Sequence, residues 1–285
     1  MNSAADLHCH TTISDGSDTI PQIVAEAQKA GLQFIAVTNH DTTRGLSQAF
    51  SEGKAQGITV IGGIEISAFD FKRNRKVHIL GYGLQEDSPY VQALCNPLLK
   101  ARNLLSHEQL AVLREHGYPV TAQEADGYST DSRVLYKQHI MQVLVDKGMT
   151  DSVYSDLYYR VFKNGGIVSR DICYVDAADA VDAVQKDGGY AVLAHPGQLD
   201  SWDLVPELAE KGLAGIEKYH PDHTGTDCLR AQELAVQYGL FVTGGSDYHG
   251  NFSKKPVCIG SYGCSEEEMN FFYKWQAEKP AGRKK

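Results

Sequence analysis

The chain has 285 residues, 42% of them hydrophobic, and a formal net charge of −9. That length buries one large core with room for an insertion. The acidic balance argues against a stable nucleic-acid complex, since phosphate contacts want a basic surface, and no apolar run approaches the length of a membrane span.

In chain order, residues 4–9 are strand-like and lead into Asp6-Leu7-His8-Cys9-His10-Thr11, with Asp15 close behind. On a strand His8 and His10 share one face, and Cys9 points the other way as a small buried filler. Pro21 to Ala30 reads as a helix: Ile20, Val24 and Ala27 share a face, and Gly31 closes it. Leu32 to Val37 is a strand that ends in Thr38-Asn39-His40-Asp41. Asp41 fits the role of capping acid for a following helix. That helix runs from Leu46 to Gln56 and stops at Gly57. Ile58 to Ile66 and Lys76 to Gly81 are strands, with Glu65 set between Ile64 and Ile66, and His78 between Val77 and Ile79.

The rhythm then changes. From about 88 to 165 the sequence is helical, with an apolar stripe through Leu98, Leu105, Val112 and Leu113, and a second helix over Tyr136 to Lys147. We read 91–165 as a helical insertion between barrel segments 1–90 and 166–270. Strand-helix alternation resumes with helix Ala177–Lys186 and strand Tyr190–Ala194, which ends in His195-Pro196. Helix Leu204–Lys211 and strand Ala214–Lys218 follow, then helix Leu229–Tyr238 and strand Leu240–Thr243. Gly245-Ser246-Asp247-Tyr248-His249 comes next, and 271–285 is expected to be a helix end and a basic tail. The six cysteines form no CxxC pair, so reduced thiols and a cytoplasmic setting are expected.

Repeated βα units make an α/β fold. Histidines and acids recur at the ends of many strands. An open sheet lays such ends out in a line, whereas a barrel makes them converge at its C-terminal mouth. A buried carboxylate such as Glu65 costs several kcal/mol unless it is paired or coordinated. Separate structural explanations are conceivable for each residue, but one multinuclear metal site accounts for them together. Imidazole nitrogen with carboxylate oxygen suits Zn, Mn or Fe rather than calcium.

These motifs resemble the polymerase and histidinol phosphatase (PHP) family. The matching pieces are Asp6-Leu7-His8-Cys9-His10-Thr11 with Asp15, Thr38-Asn39-His40-Asp41, Gly63-Ile64-Glu65, Val77-His78-Ile79-Leu80-Gly81, Leu193-Ala194-His195-Pro196 and Gly245-Ser246-Asp247-Tyr248-His249-Gly250. The resemblance implies a distorted (β/α)7 barrel with a trinuclear centre of divalent Mn, Fe or Zn. It assigns His8, His10, Glu65 and Asp247 to one metal. A second would share Glu65 and add His78 and His195, and a third would take Asp15, His40 and His249. Within the family the chain is most similar to stand-alone bacterial phosphoesterases that act on small phosphorylated molecules, nucleotides among them.

Members of that group carry a Gly-Arg-Pro-His-Ile-Ala motif in the insertion. Here the stretch is Tyr136-Lys137-Gln138-His139-Ile140-Met141, with Lys in place of Arg and no Pro. The implied chemistry is in-line attack on phosphorus by a hydroxide activated between two cations. Lys137, His139, Arg170 and His220 are the candidate phosphate contacts, with His220 also the candidate proton donor to the leaving oxygen. Histidinol phosphate is the alternative substrate. A metal-dependent amidohydrolase and a non-catalytic PHP domain are the alternative classes.

Overall fold

The computed structural model describes residues 3–278. Its strands are β1 (Ala5–Asp6), β2 (Phe34–Val37), β3 (Thr59–Asp70), β4 (Arg75–Tyr82), β5 (Val175–Asp176), β6 (Tyr190–Leu193), β7 (Gly215–Tyr219) and β8 (Phe241–Gly244). Its helices are α1 (Ile20–Lys29), α2 (Leu46–Gln56), α3 (Pro89–Glu115), α4 (Ala122–Tyr128), α5 (Lys137–Asp146), α6 (Asp156–Phe162), α7 (Ala177–Lys186), α8 (Pro196–Leu199), α9 (Val205–Glu210), α10 (Gly225–Tyr238) and α11 (Glu266–Glu278).

The strands line up in the order β1-β2-β3-β4-β6-β7-β8, with β5 beside the far end of β3. Neighbours pair in parallel except around β4, which runs antiparallel to both β3 and β6. The short link 71–74 between β3 and β4 leaves room only for a hairpin. The two sheet ends nearly meet. His10 N–H donates to the Tyr248 carbonyl, Tyr248 N–H to the His8 carbonyl, and Leu7 N–H to the Gly244 carbonyl. The result is a distorted, nearly closed barrel of seven strands.

Strand parity divides the core. Ile35, Val37, Val77, Ile79, Leu193 and Ile216 pack outward with α1, α7 and α10 residues such as Ile23, Val181 and Ala231. The alternating Ala36, Leu80, Tyr82, Val192 and Phe241 form a separate cluster inside the barrel. A third cluster belongs to the helical segment: Leu110, Leu113, Leu135, Ile140, Leu144, Val161 and Phe162, joined by Phe252 from the loop after β8. Helix α3 spans two clusters, since Val91 and Cys95 sit in the barrel's outer core and Leu110 and Leu113 in the helical one.

Several local expectations need correction. Only Ala5–Asp6 of residues 4–9 is regular strand, with an isolated bridge between Cys9 and Tyr248 beyond it. Asp41 does not cap α2, whose N-cap is Gly45. Its side chain instead accepts from the Ser67 N–H and pairs with Arg102. β5 and α8 went unseen in the sequence because each is too short to show a period. The C-terminal helix starts at Glu266, and the basic tail 279–285 lies outside the described residues. Among the described residues no disulfide forms, and no helix is long and apolar enough to cross a membrane.

Candidate metal centre

Glu65 lies on β3 at an inward position of the barrel mouth and is 1% exposed. Its two oxygens face different histidines. Oε1 is 2.7 Å from His78 Nδ1 and 2.9 Å from His195 Nε2. Oε2 is 3.2 Å from His8 Nε2, 3.1 Å from His10 Nε2 and 3.3 Å from His40 Nδ1. Asp247 Oδ1 lies 3.4 Å from His8 Nε2 and 3.3 Å from His10 Nε2. On the other side, Asp15 Oδ1 lies 3.4 Å from His249 Nε2, and Asp15 Oδ2 lies 3.9 Å from His40 Nε2. All nine residues singled out as ligands thus converge.

Their donor atoms fall into three overlapping groups, each within 4.8 Å: His10, Asp15, His40 and His249; His8, His10, Glu65 and Asp247; and His40, Glu65 and His78. The first differs from the expected set by including His10. The third brings His40 beside Glu65 and His78, and His195 shares the Glu65 oxygen that faces His78.

Local backbone explains the convergence. His40 and His78 share strand parity with Ala36 and Leu80, so they point inward by default. His195 does not, because parity would send it outward like Leu193. A left-handed backbone at His195, with φ 25°, turns it back. Asp247, with φ 49°, and Asp41, with φ 58°, are also left-handed non-glycine residues at this rim. Such positions cost about 1–3 kcal/mol and persist where surrounding contacts dictate them. At Gly245 a Cβ would sit 2.2 Å from His8 Cβ, so only glycine lets the end of β8 lie against His8.

The electrostatics match a cation site. Burial opposes ionisation of Glu65, yet His40, His8 and His78 hold its carboxyl well below the usual range. Burial likewise opposes charge on Asp15, and His40 and His249 outweigh it. Burial pushes His40 down to about 4. His249 goes the other way: Asp15 and Asp247 overcome its burial and raise it to about 9. Several buried donor atoms lack any hydrogen-bond partner, including His8 Nε2, His10 Nδ1 and Nε2, His40 Nδ1 and Asp15 Oδ1. Buried polar atoms without partners are costly, and coordination satisfies this donor set. The residues therefore fit divalent metal ions.

Supporting contacts fix the imidazoles. His8 Nδ1 donates to Glu217 Oε1 at 2.9 Å, which leaves Nε2 for the cluster, and His195 N–H donates to Glu217 Oε2 at 2.7 Å. His249 Nδ1 donates to the Asp247 carbonyl, freeing Nε2. Asp6 accepts from the N–H groups of His8, Ser246 and Gly260, tying the two barrel edges together. Sequence reasoning left Glu217 without a role. Its signal was parity: Ile216 packs outward, so Glu217 must enter the barrel.

A cavity of about 350 Å³ opens onto Asp15, His40, Glu65, His78, His195, Asp247 and His249. Lys137 lines it, with burial lowering its ammonium to about 8 despite Asp171. The structure does not bring His139 or Arg170 to this cavity. His139 is 1% exposed, accepts the Tyr136 N–H at Nδ1, and is pushed by burial down to about 4, so it is neutral at physiological pH. The Arg170 side chain is 68% exposed and pairs with Glu108. His220 lies at the cluster but faces a smaller recess. Its Nδ1 accepts the Asp222 N–H, and Nε2 is 3.3 Å from Asp247 Oδ2. Sequence reasoning also missed Gln138, which donates to Asp15 Oδ2 at 2.8 Å from the start of α5. It missed the cavity-lining Lys76, Arg102 and Lys163 too.

The family model of the PHP domain matches residues 6–166, more than half the chain. A phosphoribosyl 1,2-cyclic phosphate 1,2-diphosphodiesterase from Eggerthella lenta is 54% identical over 251 residues, covering 88% of this chain and 96% of that protein. A 3′,5′-nucleoside bisphosphate phosphatase from Chromobacterium violaceum is 28% identical, covering 86% of each. A solved structure from Bifidobacterium adolescentis, named a metal-dependent phosphoesterase, superposes with a TM-score of 0.87 at 26% identity, covering 96% of this chain and 97% of that one.

Proposed function

This chain is a metal-dependent phosphoesterase of the PHP domain family, and from that premise we propose that it hydrolyses a phosphate ester on the ribose of a small molecule. The observation that carries the reading is the divided carboxylate of Glu65, whose two oxygens serve two sets of histidines above one cavity. Three divalent Mn, Fe or Zn ions fit the donors. His8, His10, Glu65 and Asp247 would hold one, Glu65, His78 and His195 a second, and Asp15, His40 and His249 a third. Bound there, they lower the pKa of water and neutralise phosphoryl oxygens.

The chain's own residues do the rest. Glu217 keeps His8 in the tautomer that presents Nε2. Gln138 holds the outer oxygen of Asp15 and so links α5 to the centre. His220 grips the outer oxygen of Asp247, which makes it a positioning residue for that carboxylate. Lys137 supplies positive charge at the cavity wall. The helical segment 91–165 acts as a cap that carries Lys137 and Gln138.

A five-carbon sugar phosphate with a 1,2-cyclic phosphate is the first substrate to test, on the strength of the 54% relative. A nucleoside 3′,5′-bisphosphate, supported by the 28% relative, is the second reading. The experiment is phosphate release and phosphodiester opening by the metal-loaded protein, on both compounds and on histidinol phosphate. The reading expects the ribose cyclic phosphate to give the highest kcat/KM. Faster turnover of histidinol phosphate would overturn it.

A further inference from the structure

Among the described residues, the cap is tied to one of the three donor groups and not to the other two. Gln138, in the first turn of α5, gives its amide hydrogens to Asp15 Oδ2 at 2.8 Å and to Tyr154 Oη at 2.9 Å. Asp15 Oδ1 is left facing His249 Nε2, 3.4 Å away, with no hydrogen-bond partner of its own among the described residues. Two residues before Gln138, Tyr136 Oη donates to the His40 carbonyl at 3.4 Å. Phe252, three residues past His249, packs into the cap's own core. Asp15, His40 and His249 are thus joined to the cap by a side chain, a backbone and a loop. The loops that carry Asp15 and His40 add more: Thr12 donates to Asp131, and Arg44 to the carbonyls of Asp131 and Ser132. The side chains of His8, Glu65, His78, His195 and Asp247 find their partners within the barrel.

Elsewhere the seam between cap and barrel is open. A cavity of about 470 Å³ separates Thr12, Ser17 and Asn251 of the barrel from Tyr128, Gln142 and Val145 of the cap. Another, of about 320 Å³, lies between Thr43 and Arg44 on one side and Ser132 and Arg133 on the other. A seam this polar and this poorly filled permits relative motion. Both chain connections carry a bending point. Pro97 interrupts the hydrogen-bond ladder of α3 between Cys95, in the barrel's outer core, and Leu110, in the cap core. On the return, Asn164 and Gly165 are both left-handed, with φ 54° and 75°. A few such positions suffice for a hinge.

We infer that Gln138 is a positioning residue that latches the cap to the third metal set, so that filling of the Asp15, His40 and His249 set and closure of the cap stabilise each other. The inference deepens the reading of the centre as a metal-dependent phosphoesterase and rests on it. With Oδ2 held by Gln138, Asp15 keeps Oδ1 turned into the centre. Asp15 fixed by coordination gives Gln138 a fixed acceptor in return, and such linkage is reciprocal. Lys137, one residue before Gln138, is then brought to the cavity wall over a loaded centre.

The test titrates the full chain, stripped by chelation, with Mn²⁺ in a calorimeter. Asp15→Asn marks which class of sites depends on Asp15. Gln138→Met, which keeps the length and removes both donors, should weaken that class about 10–100-fold and change the others less than about threefold. Hydrogen exchange of residues 130–140 is then followed with and without Mn²⁺. In wild type, Mn²⁺ should slow it by a factor comparable to that loss of affinity. In Gln138→Met the slowing should largely vanish. Unchanged Mn²⁺ affinity in the variant, or protection of 130–140 by Mn²⁺ that survives in it, overturns the latch, as does a wild type that binds no Mn²⁺. A wild type that binds Mn²⁺ yet hydrolyses no phosphate ester overturns the proposed reaction, and binding and exchange still decide the latch. Should Gln138→Met fail to fold, Gln138→Ala carries the same comparison.

Discussion

At the residue scale, function rests on what each side chain can reach. Glu217 is fully buried and does not line the cavity over the metal centre, yet it holds the imidazole of His8 and the backbone of His195. Glu217→Gln keeps the shape and removes the charge that fixes the His8 tautomer. Metal affinity should fall about 10–100-fold, measured by competition with a chromophoric chelator, while the circular dichroism spectrum stays native. Arg170 offers the opposite case. Exposed and, among the described residues, ion-paired with Glu108 alone, it should tolerate Arg170→Ala with kcat/KM changed less than about twofold, since exposed ion pairs contribute little. The convergence of the nine proposed ligand positions was legible because charged and imidazole groups at the ends of apolar strands are expensive without partners. Glu217 was equally legible by parity but had no motif to draw the eye. That Arg170 and His139 fall outside the lining of the cavity was not legible, because sequence position says where a residue falls in the chain, not which way a loop or helix face turns it.

At the element scale, α1, α2 and α7 were readable from their periodic apolar faces and glycine stops, and β3 and β4 from their β-branched runs. The reversal of β4 was not, because strand direction follows from the length of the β3–β4 link and from pairing partners far along the chain. The left-handed backbone at His195 and Asp247 was also hidden, since neither residue type demands it and only the finished barrel imposes it. The approach of the β8 end to β1 yields a direct prediction. Gly245→Ala places a methyl on His8 Cβ. The overpacking should cost about 1–3 kcal/mol of stability, read as a lower midpoint in urea. Turnover should fall with it, because His8 is displaced. An alanine variant with unchanged stability and activity would show that the two segments are not tightly apposed.

For the whole molecule, a chain of net charge −9 concentrates positive charge in one cavity beside a carboxylate-rich centre. The pH response follows from His249, raised to about 9 in the metal-free chain against an ordinary value of 6.5. Because the folded value is the higher one, its contribution to metal-free stability is complete below about pH 6.5 and is lost as pH rises through about 9. A metal needs the same Nε2 deprotonated, so its binding releases a proton over that range and tightens as pH rises. The gain in melting temperature on adding metal should therefore grow from pH 6.5 to 9, measured by thermal scans with and without metal. A gain that shrinks over that window would contradict the assignment of His249.

The most direct measurement of the central claim is metal content and turnover on one preparation. Wild type and Glu65→Gln are analysed for Mn, Fe and Zn, then assayed on the ribose cyclic phosphate before chelation, after it, and after metal is restored. The account predicts more than one equivalent of metal in wild type, loss of hydrolysis on chelation, and recovery with added metal. Glu65→Gln should fold, bind less metal and lose nearly all turnover, because the amide cannot supply a shared negative charge to both histidine sets. Full hydrolysis by metal-free wild type, or by a metal-depleted Glu65→Gln, would contradict it.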